Sequence, residues 1–325
     1  MIRVLVTGAA GFVGGAVVDA LLRRGCDEVI ATCRRTNNHL QAKASRHPAL
    51  RIVDGIDLSV AGDVTRLPTH VTHVVHAAAL ARFEGEAAAL QRANVDATRL
   101  LLAHLAATSR DALQRLVYVS TFGVHDRRRF DRGDRPITEQ SPFAAVSAYG
   151  RSKHVAERLV RVSGLPHAIV RLAWIYGAQM RTDSHIRVLA SMCRAGHPLT
   201  AIDFPGRVSV ASVEDTADAI AELLLKPTLR HVAYLIAHEK PVSFGDMFRL
   251  FYRILGRDRA MLPGHWLGGV ARVASPALPM KLRSLCEDYY VCSTARLSEE
   301  GIALPTAFEH GIRNSVEGGH WFQER

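Results

Sequence analysis

The chain has 325 residues, 48% of them hydrophobic and 22% charged, which supplies a large core and leaves no stretch with the composition of a disordered protein. Its formal net charge of +10 is almost all arginine, since only Lys43, Lys153, Lys226, Lys240 and Lys281 are lysines, and the arginines are scattered rather than gathered into a nucleic-acid patch. Five cysteines without a C-x-x-C pair argue against a disulfide framework and against a zinc site.

The apolar run Ile2, Val4, Leu5 and Val6 opens directly into Thr7-Gly8-Ala9-Ala10-Gly11-Phe12-Val13-Gly14. This predicts a buried strand, a glycine-rich turn and a helix from about Phe12 to Arg24, stopped by Gly25. In a dinucleotide-binding turn Gly8 allows the bend, Gly11 lets the backbone approach the pyrophosphate, and Gly14 lets the helix pack on the strand. The phosphates then sit on the helix N-terminus. Because Met1 leads straight into the strand, no signal peptide is expected and the protein is expected to be cytoplasmic.

A second strand, Val29 to Cys33, ends in Arg34-Arg35, where an NAD enzyme usually carries an acid for the ribose 2'-hydroxyl. With no carboxylate there, Arg34 is expected to meet the 2'-phosphate of NADP, and NADP(H) is favoured over NAD(H). Further strands are expected at Leu50 to Val53, Val71 to Ala78, Leu116 to Thr121, Ala168 to Trp174 and His231 to Ala237. Helices are expected at Ala87 to Ala107, Ser147 to Ser163 and Val213 to Leu225. The alternation predicts an α/β fold, a doubly wound parallel sheet of the Rossmann type, with its ligand at the carboxyl ends of the strands.

Residues 1–176, with 207–237 returning to the sheet, are assigned to the dinucleotide-binding domain, and 177–206 with 238–325 to a smaller, mostly helical substrate lobe. His70, His73 and His76 do not suggest a metal, because side chains alternate along a strand and these three would not converge. Arg127-Arg128-Arg129 to Arg135 is interleaved with Asp126, Asp131 and Asp134 and reads as a solvated loop rather than a nucleic-acid site. Trp266 to Met280 is too short and too interrupted to span a membrane.

Tyr149-Gly150-Arg151-Ser152-Lys153 opens a predicted helix, and its i, i+4 spacing puts the phenol and the ammonium on one face. Upstream, Ser120-Thr121 ends a strand with two hydroxyls. A tyrosine, a lysine and a hydroxyl beside a nicotinamide make a proton-transfer system in which the ammonium is expected to lower the phenol pKa toward neutrality.

Together these segments resemble the extended short-chain dehydrogenase/reductases over essentially the whole chain. Thr7-Gly8-x-x-Gly11-x-x-Gly14 looks like the cofactor turn of that family, which brings Phe12 and Val13 with it, and Tyr149-x-x-x-Lys153 like its catalytic pair. Asp57-Leu58 looks like the adenine contact, His76-Ala77-Ala78-Ala79 like the fourth-strand cofactor motif, Asn94-Val95 like the motif on the next helix, and Arg171 to Gly177 like the nicotinamide-side segment. The resemblance makes Thr121 the active-site hydroxyl, with Ser120 beside it at the cofactor.

Departures from the family's sugar-nucleotide branches narrow the expectation. Dehydratases there carry Asp-Glu after the threonine, where this chain has Phe122-Gly123; many epimerases carry a proline, an asparagine and an acid where Leu172, Trp174 and Cys33 stand. What remains resembles the 3β-hydroxysteroid dehydrogenase-like and dihydroflavonol reductase-like branches, with Ser293-Thr294-Ala295-Arg296 and His310-Gly311-Ile312 like their closing helices. The implied function is an NADP-dependent oxidoreductase acting on a carbonyl or secondary alcohol. A nucleotide-sugar epimerase is the alternative, and a non-catalytic NADP-binding redox sensor, which needs neither Tyr149 nor Lys153, is the third reading. Trp174, Tyr176, Met180, Met192, Phe204, Met247, Phe248, Met261 and Trp266 either wall a site for a small, largely apolar substrate or simply make the lobe's core, while Arg207 holds a place that in the family often meets a sugar-nucleotide phosphate and could equally serve a coenzyme A or carrier-protein thioester. The family also implies a possible homodimer.

Overall fold

Val4, Leu5 and Val6 are completely buried in β1 (Arg3–Thr7), the strand from which the sheet grows in both directions. In this computed structural model, which describes residues 1–81, 86–125, 135–264, 280–288 and 290–322, β1 pairs in parallel with β2 (Glu28–Thr32) on one side and β4 (His73–His76) on the other. The chain passes from β1 through α1 (Phe12–Arg23) to β2, through α2 (Asn38–Ala44) to β3 (Leu50–Val53), and then by α3 (Ala61–Val64) back across the sheet to β4. After α4 (Ala87–Leu90), a π-helical turn (Gln91–Asp96) and α5 (Ala97–Thr108) come β5 (Arg115–Thr121), α6 (Ala148–Val162) and β6 (His167–Leu172). Then follow β7 (Trp174–Tyr176), α7 (His185–Arg194), β8 (Ile202–Asp203), β9 (Arg207–Val208), β10 (Val210–Ser212), α8 (Val213–Leu225) and β11 (Ala233–Ile236). Among the described residues seven strands form one sheet in the order β11-β6-β5-β4-β1-β2-β3. The order reverses between β1 and β4, and it is outside the carboxyl ends of strands at such a switch point that α/β sheets bind ligands.

Both faces of the sheet are covered, which is why the strands carry continuous apolar runs rather than an alternating pattern. Val4, Val6, Val117 and Val119 pack with Val17 and Leu21 of α1 and Ile220 and Leu224 of α8. Leu5, Val74 and Tyr118 face the other way, onto Leu101 and Leu105 of α5 and Ala156 and Val160 of α6. The ends of α8 are tied by side chains: Ser212 Oγ accepts from Asp215 N at its start, and the Arg115 guanidinium donates to the carbonyls of Leu223, Leu224 and Lys226 at its end.

Several segments depart from the sequence expectation. The strand at Val71 to Ala78 is shorter, because His70 adopts a left-handed conformation (φ 55°) and pairing starts only at His73. The strand expected from Ala168 to Trp174 breaks at Ala173, after which β7 leaves the main sheet and pairs with β10. The single helix expected from Ala87 to Ala107 contains the π-helical turn, within which Asn94 is turned inward. The arginine cluster 127–129 and Trp266 lie outside the described residues.

A second core, built on Phe204, Val208, Phe244, Met247, Phe248 and Phe251, gathers α7, α9 (Phe244–Ile254) and the helix Phe308–Gly319 against β7. Among the described residues no helix is long and apolar enough to cross a membrane.

Candidate active site

The glycine turn is shaped by contact between backbones. Gly8 has φ +70°, and a Cβ placed on it would lie 2.7 Å from both N and Cα of Ala78, so the turn after β1 and the loop after β4 touch where no side chain fits. A Cβ on Gly14 would lie 2.2 Å from the Gly8 carbonyl oxygen, which brings the first turn of α1 down onto the strand end. Gly11 is the N-cap of α1 and has no side-chain capping bond, leaving the first backbone N–H groups of the helix for an anion. Val13 packs on the sheet core, and Phe12 lies against Gly177 and the second core.

In front of this turn is a cleft of about 830 Å³, walled by Gly8, Gly11, Arg34, Asp57, Leu58 and Ala78 among others. Arg35 and Arg92 also line it, and among the described residues neither these two nor Arg34 is joined to a carboxylate at salt-bridge distance. Asp57 accepts from Ser59 N at 2.9 Å and Ser59 Oγ at 2.7 Å. Burial raises the Asp57 carboxyl, but those hydrogen bonds and the charge of Arg34 outweigh it and hold the group below its ordinary value.

His76 and Asn94 stand behind the cleft rather than on its wall. His76 Nδ1 accepts a hydrogen bond from Thr7 Oγ1 at 2.7 Å, and Nε2 donates to Thr98 Oγ1 at 3.0 Å, whose own O–H donates to Asn94 O at 2.7 Å. With burial and the Lys153 charge pushing its pKa to about 3, the ring is a neutral tie between β1, β4 and α5, and both nitrogens are taken. Asn94 accepts from Leu80 N at 2.7 Å and donates to Ser152 Oγ at 2.9 Å, joining the loop after β4 to α6.

One strand over, β5 and α6 bring the proton-transfer residues together. Ser147 Oγ accepts from Gly150 N at 2.9 Å to start α6, which puts half-buried Tyr149 in its first turn and Lys153, only 2% exposed, one turn on. The Lys153 ammonium lies 4.2 Å from the Tyr118 ring centroid. Burial pushes Lys153 down to about 7, with the Glu157 charge opposing the shift, and pushes the Tyr149 phenol up to about 12. The expectation that the ammonium lowers the phenol is therefore not met by the protein's own groups, because desolvation acts against both charged forms.

Thr121 Oγ1 accepts from Gly123 N at 3.1 Å, which leaves its O–H to donate outward. Ser120 is turned the other way, 3% exposed, and donates to Glu157 Oε1 at 2.6 Å rather than facing the cofactor cleft. Glu157 and His125, the latter in the loop after β5, were not singled out in the sequence, nor was the pairing of Arg171 with them. Glu157 continues the i, i+4 face of Tyr149 and Lys153, which is the one local signal that pointed to it.

Residues 4–237 match the model of the NAD dependent epimerase/dehydratase family. The chain belongs to that family. It is 27% identical over 216 residues to dTDP-glucose 4,6-dehydratase of Haemophilus influenzae, a match covering 61% of this chain and 63% of that enzyme. It is 27% identical over 286 residues to sterol demethylase protein B of Methylococcus capsulatus, covering 84% and 81%. The structure of UDP-glucuronic acid 4-epimerase from Bacillus cereus, solved with NAD, shares the fold at a TM-score of 0.78 and 17% identity over 99% of this chain and 100% of that one. As a member of the epimerase/dehydratase family, the protein is a nicotinamide-dependent oxidoreductase of the extended short-chain type. The cleft fits such a dinucleotide: it pairs bare helix N–H groups for the pyrophosphate with a cradle at Gly8 that any side chain would fill.

Of the two readings of the apolar set, core or substrate wall, several residues take the first. Tyr176 is fully buried in the second core, with Gly311 packed at its hydroxyl, and Met180, Phe204, Met247 and Phe248 are core residues as well. Trp174 is half-buried and stacks on His185 at 4.7 Å, with Tyr290 and Phe244 both 6.0 Å away. Arg207 is held by the Asp288 carboxylate, through Nε at 2.9 Å and through Nη2, and its N–H also donates to that carboxylate at 2.9 Å.

Proposed function

We propose that the protein is an NADP(H)-favouring oxidoreductase that moves a hydride between the nicotinamide and a carbonyl or secondary alcohol of a small, largely apolar substrate. The observation that carries this reading is that Thr121 ends β5 while Tyr149 and Lys153 open α6, near a cleft lined by Arg34 and Arg35, neither of which is joined to a carboxylate at salt-bridge distance among the described residues. The cofactor supplies or accepts the hydride. Thr121 Oγ1 donates to the substrate oxygen and orients it, and Tyr149 transfers the proton to or from that oxygen. Lys153 holds the nicotinamide ribose and favours the ionised phenol when a bound nucleotide restores charge around it. Arg34 takes the 2'-phosphate, and Arg35 and Arg92 add positive charge around the same cleft.

Three observations favour this reading over the family's nucleotide-sugar branches. A diphosphate reaching Arg207 must compete with the Asp288 carboxylate already bound there. Phe122-Gly123 supplies neither the acid nor the base that elimination of water needs, and the relative named sterol demethylase protein B carries an apolar substrate class in its name. The epimerase reading is favoured by one observation, that the Arg207 side chain remains half exposed, and by relatives named as nucleotide-sugar enzymes. A panel of a steroid ketone, a long-chain ketone, UDP-glucose and dTDP-glucose, followed by NADPH absorbance and by product analysis, separates the two. Net NADPH consumption with a ketone is the expected result. Conversion of a nucleotide sugar to its epimer without net consumption of cofactor overturns it.

A further inference from the structure

Thr121 and Tyr149 belong to separate chain segments, yet both are referred to one buried guanidinium. Arg171 of β6 has no exposed surface. Its Nε and Nη2 donate to the two carboxylate oxygens of Glu157 at 3.0 and 2.7 Å, and Nη1 donates to His125 Nε2 at 2.7 Å and to the Glu139 carbonyl at 3.0 Å. Glu157 also accepts from Ser120, the residue before Thr121. Because a guanidinium only donates, His125 Nε2 must hold a lone pair, and the ring proton sits on Nδ1, which donates to the Pro142 carbonyl at 3.2 Å. Burial and the facing Arg171 charge hold this ring neutral, its pKa pushed to about 4. Phe143 lies over the guanidinium at 5.1 Å, and Ala144 N donates to Val124 O at 2.9 Å. The anchored residues 139–144 run directly into Ser147, the N-cap of α6, and so to Tyr149.

We propose that Glu157, Arg171 and His125 form a clamp of positioning residues that sets the separation of the Thr121 and Tyr149 hydroxyls, with neutral His125 gripping the loop between them. The inference rests on the reading that these two hydroxyls perform the chemistry. A buried ion pair is weak evidence for stability, since apolar side chains of the same volume often do as well. Apolar packing cannot, however, direct bonds to the loop after β5, to α6 and to the 139–144 segment at once, and here one side chain does so.

The test uses the full-length protein with NADP and the variants His125→Leu, His125→Gln and Glu157→Gln, with Tyr149→Phe as the spectroscopic reference. NADPH affinity, read by fluorescence, is expected to stay within about threefold of the unmodified protein, because the clamp lies outside the cofactor cleft. Ionisation of Tyr149 in the NADP complex, read by ultraviolet difference against Tyr149→Phe, is expected to move up by about one pH unit or more in His125→Leu and Glu157→Gln as the phenol leaves its cationic neighbour. His125→Gln, whose amide oxygen can accept from Arg171, is expected to restore the normal titration. Unchanged titration in both His125→Leu and Glu157→Gln overturns the clamp, and so does a His125→Gln protein as defective as His125→Leu. If both of those variants lose NADPH binding, the network serves the fold as a whole and the proposal fails. If the unmodified complex shows no separate Tyr149 titration, the functional reading fails instead. Crystal structures then decide the clamp independently, a shift of the two hydroxyls by about 1 Å supporting it and an unmoved pair overturning it.

Discussion

The Lys153 ammonium faces the ring of Tyr118, 4.2 Å from its centroid, in a position almost closed to solvent. An aromatic face compensates a buried cation only partly, and the lysine pKa falls to about 7. Between that value and the ordinary lysine value the unfolded chain binds a proton that the folded chain does not, so stability rises with pH across this window. Below about 7 both states are protonated and the destabilisation is at its full size. Lys153→Met should therefore unfold at higher urea than the unmodified protein at pH 6, by on the order of a few kcal/mol, with the gap closing as the pH approaches 10. Urea titrations without added cofactor at several pH values check this, and equal stability at pH 6 would refute it.

Replacing Tyr149 by phenylalanine keeps the ring in the first turn of α6 and removes only the proton. Turnover should fall by roughly 10²-fold or more, while NADPH affinity stays within about twofold. Steady-state kinetics with the substrate found in the carbonyl panel, set beside a fluorescence titration, separate the two effects; near-normal turnover would remove Tyr149 from the mechanism.

Among the described residues Arg34 is joined to no carboxylate at salt-bridge distance, so Arg34→Ala removes the contact to the 2'-phosphate without breaking a salt bridge. Preference for NADP(H) over NAD(H) should shift toward NAD(H) by roughly 1 to 3 kcal/mol, the range for a hydrogen bond to a charged group. Arg92→Ala is expected to weaken both cofactors. Parallel calorimetric titrations with NADPH and NADH give the answer, and equal affinity of the unmodified protein for both would refute the preference.

The Gly14 position tolerates no side chain, because the obstacle is the Gly8 backbone carbonyl rather than a movable group. Gly14→Ala is expected to lower stability by about 1 to 3 kcal/mol, as overpacking does, and to abolish cofactor binding. Thermal unfolding and NADPH fluorescence read the two losses; a variant that binds normally would show that the turn can relax.

Segments punctuated by turn residues were legible in the sequence: Leu50–Val53 and Val213–Leu225 have the boundaries their apolar patterns give. The motif spacing also brought Gly8, Gly11, Arg34, Asp57 and Ala78 to one cleft, since strand ends in a parallel sheet converge by construction. Tyr176, Met247 and Phe248 could not be placed, because an aromatic or methionine that fills a lobe core and one that walls a pocket carry the same hydropathy. The shift of the Tyr149 phenol was misjudged for a related reason: the sequence displays the neighbouring ammonium but not the desolvation that outweighs it. The bond from Arg171 to His125 spans 46 positions and has no local signature, and the break at Ala173 follows from the distant pairing of β7 with β10.

The contact of Gly8 with Ala78 has a consequence for the birth of the molecule. The phosphate cradle is encoded within the first fourteen residues, yet one of its walls is made some seventy residues later, when β4 docks beside β1. A nascent chain that has emerged only as far as β3 carries the glycine signature without a completed cleft. A nicotinamide dinucleotide should thus be invisible to the growing polypeptide until β4 has left the ribosome, and cofactor capture then rewards the long-range strand pairing rather than the local turn.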